Sequence, residues 1–193
     1  MKSFDTTNVQ ESYSGGESKH IPAGGYVARI MKVTDVPLDT TTNKGDYLKI
    51  EFDIAEGEYA GYYSELFMRF GKWRGNAIAS YKETALPIFK GFYRSVEDAN
   101  PNYTWNWIEQ TLVGKLVGVV LGDEEYFNSF NNTIGTAVKH RGWCKVQDVR
   151  DGKVKAPKLR PMSESDKAKA ERAGATTSAG ATVISGADAE LPF

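Results

Sequence analysis

Residues 47–54 read YLKIEFDI. Leu48, Ile50, Phe52 and Ile54 alternate with Tyr47, Lys49, Glu51 and Asp53. A period of two sends one set to a core and the other to water, so this stretch predicts a half-buried strand. Its wet face carries an aromatic ring and a cation side by side, Tyr47 and Lys49.

The flanks extend the pattern. Upstream, GGYVARIMKVTDV predicts a strand from about Tyr26 to Val36, and PLDTTTNKGD supplies a turn through Pro37, Asp39, Asn43 and Gly45. Downstream, EGEYAG turns the chain and YYSELFMRF alternates again, which predicts a third strand. Its faces would be Tyr62, Ser64, Leu66, Met68 and Phe70 against Tyr63, Glu65, Phe67 and Arg69. Three strands joined by turns make an antiparallel meander.

The period then changes. From Asn76, a candidate cap, apolar residues recur at helical spacing: Ile78, Tyr81, Ala85, Ile88, Phe89, Phe92 and Val96. Pro87 predicts a kink or two short helices. A short helix is expected behind Thr104, ended by Gly114. KLVGVVLG reads as a buried strand, DEEYFNSFNN as a polar connection, and TAVKHRGWCKVQDV as a last strand to about Val149. Five strands with a helix between the third and fourth give the element order of an OB-fold barrel. The expected fold is therefore mainly β: an OB-like, five-stranded antiparallel barrel with a helical insertion. Residues 1–20 would be a flexible arm, 21–162 the domain, and 163–193 a disordered tail, being too poor in large apolar residues to fold alone.

Charge and composition narrow the chemistry. The 193 residues carry 24 Lys and Arg against 25 Asp and Glu, a net charge of -1. Five acids and three bases lie in 163–193, which leaves 21 bases and 20 acids in 1–162. Any anion-binding surface must come from local arrangement rather than bulk charge. A single cysteine, Cys144, excludes an intrachain disulfide and a multi-cysteine zinc site, and there are only two histidines. No metal or cofactor is expected. No apolar run approaches the roughly 20 residues that span a bilayer, and MKSFDTTNVQ lacks a signal-peptide core. The expected compartment is a reducing cytoplasm. No phosphate-binding loop, nucleophile elbow or metalloprotease motif is present, so an enzyme is not expected.

The residues that suggest function are aromatic and basic side chains on wet strand faces. Tyr47 and Lys49 share one face; Tyr63, Phe67 and Arg69 share the next; Lys72, Trp73 and Arg74 follow in FGKWRG. Rings stack on bases while Lys and Arg track phosphates, which suits single-stranded nucleic acid without sequence readout. Packing beneath the helical insertion is the competing reading. KHRGWCK forms a second cluster, in which alternation would put Lys139, Arg141, Trp143 and Lys145 on one face unless Gly142 bulges the strand. His140 and Cys144 read as structural. Tyr103, Trp105 and Trp107 read as core, and Asp123, Glu124 and Glu125 as a solvated loop.

The chain ends GADAELPF. This ending resembles the acidic tip of bacterial single-stranded DNA-binding proteins, through Asp188, Glu190, Leu191, Pro192 and Phe193. A terminal Phe can enter an apolar pocket while its α-carboxylate meets a cation, and the acids steer it to a basic rim. This tip is less acidic than the family's. The stretches IPAGGYVARIMKV, YLKIEFDIAEGEYAGYY, ALPIFKGFYRSVEDANPNY and LVGKLVGVVLGDEEY resemble a family of phage proteins from Gram-positive hosts, described as single-stranded DNA-binding or uncharacterised. The resemblance implies coating and protection of single-stranded DNA in phage replication, recombination or repair within the bacterial cytoplasm. It implies recruitment of host or phage replication and recombination proteins through the tip, and no membrane partner. The family supplies no residue-level site. Homo-oligomeric binding, a strand-annealing or mediator role, a non-DNA-binding protein adaptor and a nuclease stay open beside it.

Overall fold

The computed structural model describes residues 20–42 and 44–177. Five strands form one antiparallel open sheet: β1 (Gly24–Val36), β2 (Tyr47–Ile54), β3 (Asn76–Ser80), β4 (Leu116–Asn128) and β5 (Thr133–Cys144). Their order is β3-β2-β1-β4-β5, and a two-residue β6 (Thr176–Thr177) adds in parallel to the start of β5.

β1 is the hub of this sheet. Its first half pairs with β4, from Gly24 opposite Leu121 to Arg29 opposite Leu116. From Ala28 onward its other edge pairs with β2, from Ala28 opposite Ile54 to Val36 opposite Tyr47, so Ala28 and Arg29 pair on both sides. The register with β2 shifts between Ile30 and Lys32, a local irregularity of the bulge type that bends a strand. The sheet thereby turns far enough for β3 and β5, its two antiparallel ends, to approach each other without pairing.

The alternation in residues 47–54 holds: Leu48, Ile50, Phe52 and Ile54 are buried. They meet Ile30, Val117, Val119 and Leu121 from the neighbouring strands. Asp53 is buried as well, for a reason given below.

YYSELFMRF is not a strand but helix α1 (Tyr62–Phe70). Gly61 before it and Gly71 after it both take left-handed φ values, 81° and 68°. Such values are easy for glycine and mark the two ends of the helix. The third strand is instead NAIAS, which had read as the start of a helix. Its small residues Ala77 and Ala79 are buried where β2 passes closely. Helix α2 (Leu86–Ala99) begins one residue before Pro87, so the proline lies in the first turn, where no helical hydrogen bond is lost.

α2 packs Phe89, Phe92 and Val96 into the core. Ser95 fixes its register: its hydroxyl donates to the Cys144 carbonyl and accepts the Gly118 amide at 3.0 Å. Asn100, at the end of α2, clasps Leu116 in both directions, donating to its carbonyl (2.9 Å) and accepting its amide (3.1 Å). A short turn of 3-10 helix follows at Glu109–Leu112, behind Thr104 as expected.

The expected polar connection after Gly122 is strand. β4 continues to Asn128, beyond Leu121 where its pairing with β1 ends. A strap formed by the following chain takes up that free edge: Arg160 accepts the Glu125 amide and donates to the Asp123 carbonyl, each at 2.9 Å. The strap runs close to the sheet. A Cβ on Gly25 would sit 2.6 Å from that of Val154. β5 ends at Cys144 rather than Val149, because Val146–Arg150 forms helix α3. Helix α4 (Glu164–Arg172) is capped by Ser163, whose Oγ accepts the Asp166 amide at 3.1 Å, and buries Ala170. The expectation of a tail without structure from 163 therefore fails for 164–172.

Candidate nucleic-acid interface

An open groove of 1040 Å³ runs between the outer face of β2–β3 and the facing part of β5. Tyr47, Lys49 and Glu51 line one side with Ile78 and Asn76, the β3 register partners of Lys49 and Glu51. Thr136, Val138 and Lys139 of β5 line the other. α1 contributes Tyr62, Tyr63 and Leu66, and the turn after it contributes Lys72, Trp73 and Arg74. Tyr126 of β4 and the chain at His20 and Ile21 complete it.

The wall made by α1 is anchored from β2. Gly61 has no side chain to cap the helix. The Asp53 carboxylate accepts the amides of Tyr63 (2.8 Å) and Ser64 (3.2 Å), together with the Ser64 hydroxyl. A buried carboxylate is thus satisfied by unpaired first-turn donors, where the helix dipole favours negative charge.

Trp73 is held in place while half exposed. Its Nε1 donates to the Gly75 carbonyl at 3.1 Å, and its ring lies 5.9 Å from that of Phe67. Arg74 sits 5.2 Å from the centre of the Phe70 ring. Tyr47 and Tyr62 are the other half-buried rings facing the groove. Four cations line it, Lys49, Lys72, Arg74 and Lys139, against one carboxylate, Glu51. That balance differs in sign from the chain as a whole, whose net charge is -1. Within this set Lys49 lies 3.6 Å from Glu51, and Lys139 lies 2.9 Å from Glu124.

Of the residues singled out from sequence, Tyr47, Lys49, Tyr63, Lys72, Trp73, Arg74 and Lys139 meet at this groove. Tyr63 is nevertheless a core residue, packed edge-on to Phe52 at 5.5 Å, with burial driving its hydroxyl pKa far upward. Phe67 lies just outside the groove, 46% exposed against Trp73. Arg69 is exposed on α1, 5.2 Å from the centre of the Phe70 ring.

The second cluster divides because β5 does bulge. Its register with β4 jumps from Gly142 opposite Val120 to His140 opposite Leu121, leaving Arg141 as the extra residue. Trp143 consequently turns inward with His140, their rings 4.3 Å apart, and packs on Phe92 at 4.7 Å. The expected sharing of a face by Trp143 with Lys139 and Arg141 is thereby corrected. Arg141 is mostly buried and pairs with Glu124 at 3.4 Å, as does Arg160. Glu124 thus pairs with three cations and is no solvated loop residue. Burial pushes its carboxyl up, but the Lys139 hydrogen bond and the surrounding cations outweigh this and hold it below the ordinary range. Lys145 is exposed just past the end of β5, at the start of α3.

His140 lines the groove with its Nε2 buried and unpartnered. Burial lowers its pKa to about 4, so the ring is neutral at pH 7. Burial likewise raises the Cys144 thiol to about 11, so it is not a thiolate nucleophile. Among the described residues no group of three or more His, Cys, Asp or Glu is placed to hold a metal ion, and no helix is long and apolar enough to cross a membrane. Tyr62 and Tyr126 were missed in the sequence, one placed on a strand's inner face and the other in a loop. Asp188, Glu190, Leu191, Pro192 and Phe193 lie outside the described residues, as do residues 1–19. No protein-family model matches the chain, and no curated protein matches it.

Proposed function

We propose that the protein binds single-stranded DNA in the groove between β2–β3 and β5, without performing chemistry. The observation that carries this reading is a groove with half-buried Tyr47, Tyr62 and Trp73 and four cations against one carboxylate, in a chain of net charge -1. Half-exposed rings offer stacking surfaces to any base, and the cations neutralise phosphates.

An OB-like barrel accounts for the architecture. In such a barrel the three-stranded meander is followed by a helix and two more strands, the first strand is shared between both halves, and nucleic acid lies against strands two and three. The order β3-β2-β1-β4-β5, the bent β1, the position of α2 and the approach of β3 to β5 all support it. On this reading the protein coats single strands during phage replication or recombination in a bacterial cytoplasm, and its terminal Asp188–Phe193 segment recruits partner enzymes. A gel shift of oligo-dT against duplex DNA of equal length tests the binding. Retardation of the single strand, weakening with salt, is expected, and none at low salt would remove the reading.

A protein adaptor is the second reading, favoured by one patch. Trp107 is 67% exposed at a φ of 64°, its ring stacked 6.3 Å from that of Phe89 and followed in the chain by Ile108 at 50%. A bulky residue in the left-handed region and an apolar patch in water both suit a protein contact.

A further inference from the structure

Phe130 is 91% exposed, the most exposed large apolar side chain among the described residues. It stands in the turn that joins β4 to β5. Collapse does not hold it there; the turn itself does. Its amide donates to Asn128 Oδ1 at 3.0 Å, the Thr133 hydroxyl donates to Asn131 Oδ1 at 2.6 Å, and Asn132 takes a left-handed φ of 53°. Asn128, which sets the turn, is buried.

The hairpin that carries this ring rises from the groove. Tyr126 and Thr136, both groove-lining, stand at its base, with Tyr126 opposite Gly135 and Glu125 opposite Thr136. From Tyr126 to Phe130 is four residues, two of them in the strand and two entering the turn, a reach of at most roughly 13 Å at about 3.3 Å per residue. The turn residues, NSFNNT, include no charged side chain. An apolar ring held out in water gains nothing for the fold. A ring at the end of a groove lined by other rings does gain from a base that reaches it.

We propose that Phe130 is a stacking platform for a base of single-stranded DNA beyond the groove, taking up a strand that leaves the groove past Tyr126. The inference rests on the single-stranded DNA reading of the groove. It adds a contact of different chemistry: stacking without a phosphate partner. Phe130 therefore adds affinity only for strands long enough to reach it, and adds nothing to the salt dependence.

The test compares wild type with Phe130→Ala, Phe130→Leu and Phe130→Trp. Each is titrated with oligo-dT of about 4 and about 16 nucleotides, spanning the usual site sizes of one such domain. For the long strand, the Ala and Leu variants should bind about tenfold more weakly, while Trp retains the affinity. All four proteins should bind the short strand alike, and the slope of log affinity against log salt should not change. Wild-type binding to both lengths with no loss in Phe130→Ala overturns the inference and leaves the groove reading standing. So does an equal loss in Phe130→Leu and Phe130→Trp, which would make the contact apolar rather than aromatic. Weaker self-association in sedimentation, at unchanged DNA affinity, would instead assign the ring to a contact between copies. Failure of wild type to bind either length removes both the inference and the reading beneath it.

Discussion

The Asp53 carboxylate on β2 accepts the Tyr63 amide of α1 at 2.8 Å, so a helix is capped by a residue ten positions earlier. This places the α1 wall of the groove under the control of the sheet. Asp53→Ala should leave the first-turn amides and the Ser64 hydroxyl without their acceptor. A loss of about 2 kcal/mol is expected, at the upper end for a helix cap. Urea unfolding measures it, and an unchanged midpoint would show that α1 is held by packing alone.

The groove cations should reveal themselves through salt rather than through affinity alone. Each phosphate contact on a single strand contributes about 0.7 to the slope of log affinity against log salt. Lys49→Ala and Arg74→Ala should each lower the oligo-dT slope by about that amount. Lys145→Ala, exposed beyond β5 and outside the groove, should leave it unchanged. Equal effects at all three positions would point to a diffuse surface field in place of a groove.

His140 gives the fold an acid sensitivity with a defined sign. Its folded pKa is about 4 against an ordinary value of 6.5. The unfolded state therefore binds the proton first. The stability contribution is complete above pH 6.5 and is lost as pH falls toward 4. His140→Phe should flatten the stability profile in that window. NMR titration of the His140 imidazole checks the cause, because the ring should stay neutral as pH falls through the ordinary value of 6.5.

Much of the sheet was legible, and the exceptions have physical reasons. Residues 47–54 alternate with no competing period, so β2 came out with its bounds. YYSELFMRF carries two periods at once. It alternates, but Tyr63, Leu66, Phe67 and Phe70 also follow a helical spacing, and Gly71 is a helix-ending residue. What decided between them was Asp53, a cap that no local rule finds. β3 was unreadable because close packing against β2 selects alanine, a helix former, at its buried positions. DEEYFN looked like loop because its charges are satisfied from afar, Glu124 by Lys139, Arg141 and Arg160.

The candidate site was legible where wet-face residues fell on β2 and in FGKWRG. It failed in KHRGWCK, where a bulge at Arg141 turned Trp143 into the interior. Phe130 went unseen because a lone aromatic in a polar loop has no pattern; only its exposure marks it.

The central claim is that single-stranded DNA lies against Trp73. Intrinsic tryptophan fluorescence should be titrated with oligo-dT in wild type, Trp73→Phe and Trp107→Phe, with duplex DNA as the control and a gel shift as the independent measure of binding. The account predicts saturable quenching by dT that retreats with salt, persists in Trp107→Phe and largely disappears in Trp73→Phe. Quenching that survives in Trp73→Phe but is lost in Trp107→Phe, or no dT binding by gel shift, would contradict it.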